Sequence, residues 1–158
     1  MTMDFAETLQ VDGVSYQTYA FPLNAFLGML SPRPRLQVWP GCSNGYYAAW
    51  EVQDWPQGRV LCMVDIRPHA IELSALLFPG SEFPIPAVWF SGVVRAMRGE
   101  RRRAGYPSRT FWNEEIFLEI VAGVVMREWV LDLRLVPDQT REEFRRSVPA
   151  FLLKPESD

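Results

Sequence analysis

The sequence predicts one α+β domain: a mainly antiparallel, twisted sheet of about seven strands, three hairpins plus one further strand, with two or three short helices against it. Three observations carry that expectation. The stretch Gly45–Ile66, GYYAAWEVQDWPQGRVLCMVDI, reads as two long strands folded back on each other; Asp12-Gly13 sits between two alternating runs; and Gly123 divides two long apolar segments. A chain of 158 residues fits one domain, assigned here to residues 1–153 with a polar tail at 154–158.

Taken in order, Leu9–Tyr19 carries Asp12-Gly13, a pair that tolerates positive φ at both turn positions and so marks a tight hairpin. Val11 then faces Val14 and Leu9 faces Tyr16, in a hairpin expected at an edge of the sheet. Phe21–Leu30 places Phe26, Leu27 and Leu30 on one side of a short helix, which Pro32 and Pro34 terminate. Ser31–Asn44 is a loop, with Trp39 expected as a plug beneath it.

In the central hairpin, Tyr46, Ala48, Trp50 and Val52 fall on one face by strand periodicity, which makes that face core. The return arm Arg59–Ile66 is apolar on both faces except at Asp65, the pattern of a strand covered on both sides. Asp54, Pro56 and Gly58 supply the turn between the arms.

Ile71–Phe78 reads as a helix closed by Pro79-Gly80, and Val88–Met97 as the next strand, with Gly92 suggesting a bulge. From there to Thr110 no regular period exists, so the segment is expected to be a long loop. Phe111–Ala122 and Val124–Leu135 form the third hairpin around Gly123, with Ile116, Leu118 and Ile120 on one face. Asp138–Val148 is a helix opened by the capping box Thr140 and Glu143 and ended by Pro149.

Apolar residues make up 48% and aromatics 13% of the chain, which excludes disorder, and no apolar run reaches the roughly 18 residues of a membrane span. The start, MTMDFAETLQ, lacks a basic stretch followed by an apolar one, so the expected compartment is the cytoplasm. Cys42 and Cys62 form no CxxC pair and are expected as reduced, packed thiols. Charge is unevenly placed. Arg95, Arg98, Arg101, Arg102, Arg103 and Arg109 share a segment with Glu100 alone, so this segment is +5 and the rest of a −3 chain is −8. Such a balance favours a two-signed surface and disfavours nucleic acid as a partner of the whole of it.

GYYAAWEVQD, a strand ending VDI, LFPG, WFSGVVR, Gly105-Tyr106-Pro107-Ser108 and EIFLEIVAGVV together resemble a family of uncharacterised small bacterial proteins. The resemblance spans roughly Gly45 to Val125 and implies a shared fold; it brings no established activity or catalytic residues. In that family the segment before Gly105 looks more apolar and holds a histidine, whereas here it is Glu100-Arg101-Arg102-Arg103.

A search for chemistry finds little. His69 is the sole histidine and has no evident partner to orient it, which also argues against a metal site. Glu114 and Glu115 are adjacent on a strand and point to opposite faces. Glu51 and Asp65 lie on the central hairpin, where they serve either as solvated acids or as an acid/base couple. The sequence contains no phosphate-binding loop, no dinucleotide fingerprint and no nucleophile elbow. No cofactor is implied.

The leading expectation is therefore a non-catalytic protein-binding protein, of which an immunity or antitoxin-type protein blocking a toxin domain is one form. Its binding residues would be Arg101, Arg102, Arg103, Tyr106 and Arg109 on the arginine-rich loop, with Glu51 and Asp65. The alternatives are a small enzyme using Glu51 and Asp65, and an RNA-binding module using the segment 95–109 with Tyr106 and Phe111 or Trp112 for stacking.

Overall fold

A computed structural model describes residues 5–104 and 109–135, together with Glu142 and Arg146; the side chains of Arg103, Ala104 and Arg109 lie outside the description. Most of the expected helix 138–148 falls outside it too, though Glu142 and Arg146 are helical and joined by an ion pair at 2.6 Å.

The strands are β1 (Glu7–Val11), β2 (Val14–Thr18), β3 (Tyr47–Trp55), β4 (Gly58–Arg67), β5 (Ile85–Pro86), β6 (Gly92–Ala104), β7 (Arg109–Val121) and β8 (Val124–Asp132), with helices α1 (Leu23–Met29) and α2 (Ala70–Leu77). Their order is β3-β1-β2-β6-β7-β8-β4, and β4 pairs again with β3. The sheet is a closed seven-stranded barrel, with β5 added beside β4. This corrects the expected open α+β sheet. Two pairings make the difference: β1 lies parallel to β3, with Leu9 opposite Trp50, and β4 meets β8 where Val60 faces Val124. Closure leaves the first hairpin inside the ring rather than at an edge, because β2 also pairs with β6 through Gln17–Met97 and Thr18–Ala96.

The three hairpins form at the turns the sequence marks. Asp12 and Gly13 have φ of 52° and 77°, and Ala122 and Gly123 have 47° and 84°, both in the left-handed region that two-residue hairpins use. Inside the barrel Leu9, Val11, Tyr46, Ala48, Trp50, Val52, Leu61, Met63, Val94, Ala96, Ile116, Leu118 and Ile120 share one core with Leu23 and Leu27 of α1 and Leu73 and Leu77 of α2. Phe26, Phe78 and Trp89 stack together against it, with centroids 4.7 to 5.3 Å apart. Both faces of β4 are buried from Val60 to Met63, as its unbroken apolar run requires.

The largest local departure concerns the arginine-rich segment. Residues 95–104 belong to β6 and pair with β7 as far as Ala104–Arg109, interrupted by one irregularity between Arg98 and Arg101. Charged side chains mask the alternation and so give the sequence the look of a loop; they are compatible with a strand because most of the described ones find partners across it. Val88 and Trp89 precede the strand rather than begin it, so Gly92 opens β6. Trp39, expected as a plug, is 37% exposed and meets Tyr47 edge-on with centroids 5.9 Å apart.

Candidate functional site

The arginines of β6 are mostly engaged within the fold. The Arg95 Nε–H donates to Glu115 at 2.5 Å, while the Arg95 guanidinium also lies over Trp112. Arg98 pairs with Glu114 at 3.0 Å, and Glu114 in turn accepts the Tyr16 hydroxyl at 2.9 Å; burial and the bond to Glu114 push that phenol up to about 12. Arg102 stacks on Phe111 and donates to the carbonyls of Leu133 and Arg134, holding the end of β8 against β6. Only Arg101 among the described arginines of this segment is exposed without an acceptor. Arg103 and Arg109 flank the strand connection by backbone pairing, and Tyr106 lies outside the described residues. Glu114 and Glu115 do face opposite ways: Glu115 is fully buried, and its second oxygen accepts the Trp112 N–H at 3.1 Å.

Glu51 and Asp65 do not form a couple. A bulge between Ala49 and Trp50 sets Asp65 opposite Ala49, while Glu51 faces Cys62. Asp65 is tied to Arg67 at 2.9 Å and to its neighbour's N–H. Burial pushes the Cys62 thiol up to about 11, and the nearby Glu51 charge acts in the same direction. Both cysteines are free and buried. His69 opens α2 in a left-handed conformation with φ of 60°. Among the described residues no group of histidine, cysteine and acidic side chains could hold a metal ion, and no helix is long and apolar enough to cross a membrane.

Two features went unread in the sequence. The first is Glu7, buried at the start of β1, whose carboxylate accepts the Ala48 N–H at 2.6 Å and the Trp50 indole N–H at 3.0 Å. Burial outweighs these bonds and raises its pKa to about 7.

The second is β8. Its partner β4 begins at Gly58, so β8 pairs with it only at Val124 and beyond Met126 runs past the end of its neighbour. Among the described residues no strand pairs with that far edge. Val130 is opposite Ile116, a core residue, yet it is 54% exposed because the barrel wall stops short of it; Met126 and Trp129 are exposed on the same stretch. Arg59 closes the base of the gap. Its guanidinium binds Glu128 of β8 and Asp12 of the first turn, at 2.5 and 2.9 Å, and holds the Asp12 carboxyl below the usual range. A partial signal existed in Met126, Trp129 and Val130, apolar residues on both faces of one strand, but burial on both sides explains such a pattern equally well.

Comparison with known proteins finds no family model, no curated protein and no solved structure that matches this chain.

Proposed function

We propose that the chain is a non-catalytic protein-binding module of the bacterial cytoplasm, and that it takes its partner along β8. The observation that supports this reading is that, among the described residues, no further strand pairs with β8 past its bridge to β4, on a stretch where Met126, Trp129 and Val130 are exposed. An open edge offers backbone donors and acceptors to an incoming strand, while apolar side chains beside it supply the desolvated contacts that hold it. Folded proteins usually cover or charge such an edge. Here Arg127, Glu128 and Asp132 supply charge, no further strand covers the stretch among the described residues, and Trp129, a residue type enriched at binding hot spots, is exposed between them. The surface of β6, expected from the sequence to fill this role, is less suited, since Arg95, Arg98 and Arg102 are occupied by Glu115, Glu114 and the carbonyls after β8. Arg101 stands as the free cation of that segment among the described side chains. Blocking a toxin domain is the narrower form of the reading, supported only by the separation of positive and negative segments.

The test is capture of partners from the native cytoplasm by the wild-type chain and by the variant Met126→Ser/Trp129→Ser, followed by titration of the protein identified. The expected result is a loss of at least about tenfold in affinity with melting unchanged. A partner bound equally by both chains would move the interface away from β8.

A further inference from the structure

From Gly13 to Trp50 the sequence contains no acid, and its only charged side chains are Arg33 and Arg35. Both line a groove of about 560 Å³ between α1 and the loop that follows it, together with Leu27, Leu36, Ser43 and Asn44. Neither guanidinium has a carboxylate or carbonyl acceptor among the described residues, although most described arginines elsewhere in the chain have one.

Asn44, which lines the same groove, carries a third donor. The buried Tyr46 hydroxyl donates to Asn24 Oδ1 at 2.9 Å, and Asn24 Nδ2–H donates to Asn44 Oδ1 at 3.0 Å. This relay fixes the Asn44 amide with its oxygen occupied, so its half-buried NH₂ group is left as a donor without an acceptor. The walls are held as well. Gly45, at φ of 78°, lies so close under Leu36 and Gln37 that a Cβ there would come within 2.6 Å of Leu36 Cβ. On the far side of the loop Trp39 and Cys42 exchange backbone hydrogen bonds at 2.9 and 3.3 Å. Pro32 and Pro34 stiffen the segment that carries the two arginines, which reduces the ordering cost of binding there.

We propose that this groove binds a small organic anion, a carboxylate or phosphate carried on an apolar body. The anionic group is received by Arg33, Arg35 and the Asn44 amide, and the body lies against Leu27 and Leu36. A groove of this volume falls within the range of small-molecule sites, and three donors with no internal acceptor select for negative charge. The site is separate from β8 and does not depend on the role assigned to that strand.

The experiment is an NMR titration of the ¹⁵N-labelled full chain with phenyl phosphate, benzoate and, as the uncharged control, benzyl alcohol. Saturable shifts of the Leu36, Ser43 and Asn44 amides are expected with at least one of the anions, at a dissociation constant near or below about 1 mM, as suits a ligand of this size. Benzyl alcohol should bind at least about tenfold more weakly. Asn44→Asp keeps an oxygen for Asn24 but replaces the free donor by a charge, and should abolish binding; Arg33→Gln/Arg35→Gln should do so while leaving the amide spectrum elsewhere intact. No saturable shift with either anion up to about 10 mM would overturn the proposal, as would equal binding of benzyl alcohol or undiminished binding by the double variant.

Discussion

Glu7 and Trp50 are joined across the parallel seam of the barrel: the indole N–H donates to a carboxylate that is itself only 1% exposed. The same carboxylate takes the Ala48 N–H, so one acidic side chain at the start of β1 satisfies two buried donors of β3.

Stability should accordingly depend on pH through Glu7. Below about pH 4.5 the carboxyl is protonated whether the chain is folded or not. As pH rises toward 7 the unfolded chain releases a proton that the folded chain retains, so stability falls, and the loss levels off once both states are ionised. The total is on the order of 3 kcal/mol. Glu7→Gln removes this dependence and leaves one of the two N–H groups facing an amide nitrogen. Urea melts of both chains between pH 4 and 8 are expected to show their stability difference changing across that window; a constant difference would rule out Glu7 as the titrating group.

Trp50→Ala should cost about 3–5 kcal/mol, as for other buried large aromatics. The ring is 1% exposed in the core and packs against Trp89 at 6.4 Å. A denaturant melt losing less than about 1 kcal/mol would contradict this placement.

Arg95→Ala should be more damaging than an exposed arginine would suggest. Its removal strands the fully buried Glu115 without a counter-charge, a situation that costs about 3–5 kcal/mol. Adding Glu115→Leu to that variant should recover much of the loss. If the double variant melts no higher than Arg95→Ala alone, the pair does not act as described.

Arg101 and Arg102 are neighbours with opposite expectations. Arg101→Ala should leave stability within about 0.5 kcal/mol of wild type. Arg102→Ala removes both the donor to the carbonyls of Leu133 and Arg134, just past the end of β8, and the stacking on Phe111, for about 1–2 kcal/mol. Thermal melts of the two single variants separate them; equal effects would mean that Arg102 is as free as Arg101.

Gly123→Ala should destabilise by at least about 1 kcal/mol. Its φ is 84°, and a Cβ there would approach the Ala87 carbonyl oxygen to 2.9 Å, backbone that has no side chain to move aside. Unchanged melting would require that the β7–β8 turn shift away from Ala87.

What the sequence makes legible here is local. Asp12-Gly13 announces its hairpin because both residues tolerate the positive φ the turn needs, and Gly123 marks the third one, whereas Ala122, which shares that turn at φ of 47°, gives no such signal. The alternation of Tyr46, Ala48, Trp50 and Val52 announces the buried face of β3. The pairings of Leu9 with Trp50 and of Val60 with Val124 join segments far apart in the chain and leave no local mark, so ring closure is invisible in the sequence. Glu7 escapes notice for the same reason, since its partners Ala48 and Trp50 reach it only through that closure. The arginines of β6 mislead because charge reads as solvent exposure, whereas Glu114 and Glu115 on the neighbouring strand meet two of them. Arg33 and Arg35 stand out in the composition of their stretch, but only the fold brings Asn44 beside them.

The shape of the barrel also bears on how the chain finds it. β6, β7 and β8 follow one another directly and pair in that order, and β3 and β4 form a hairpin through a short turn, so these two units demand little loop closure. The seam between β1 and β3 and the single bridge between β4 and β8 require distant segments to meet, which places them late in assembly. The ring would then shut around two preformed sheets, and the Glu7 carboxyl, solvated until that moment, would be dehydrated in the last step.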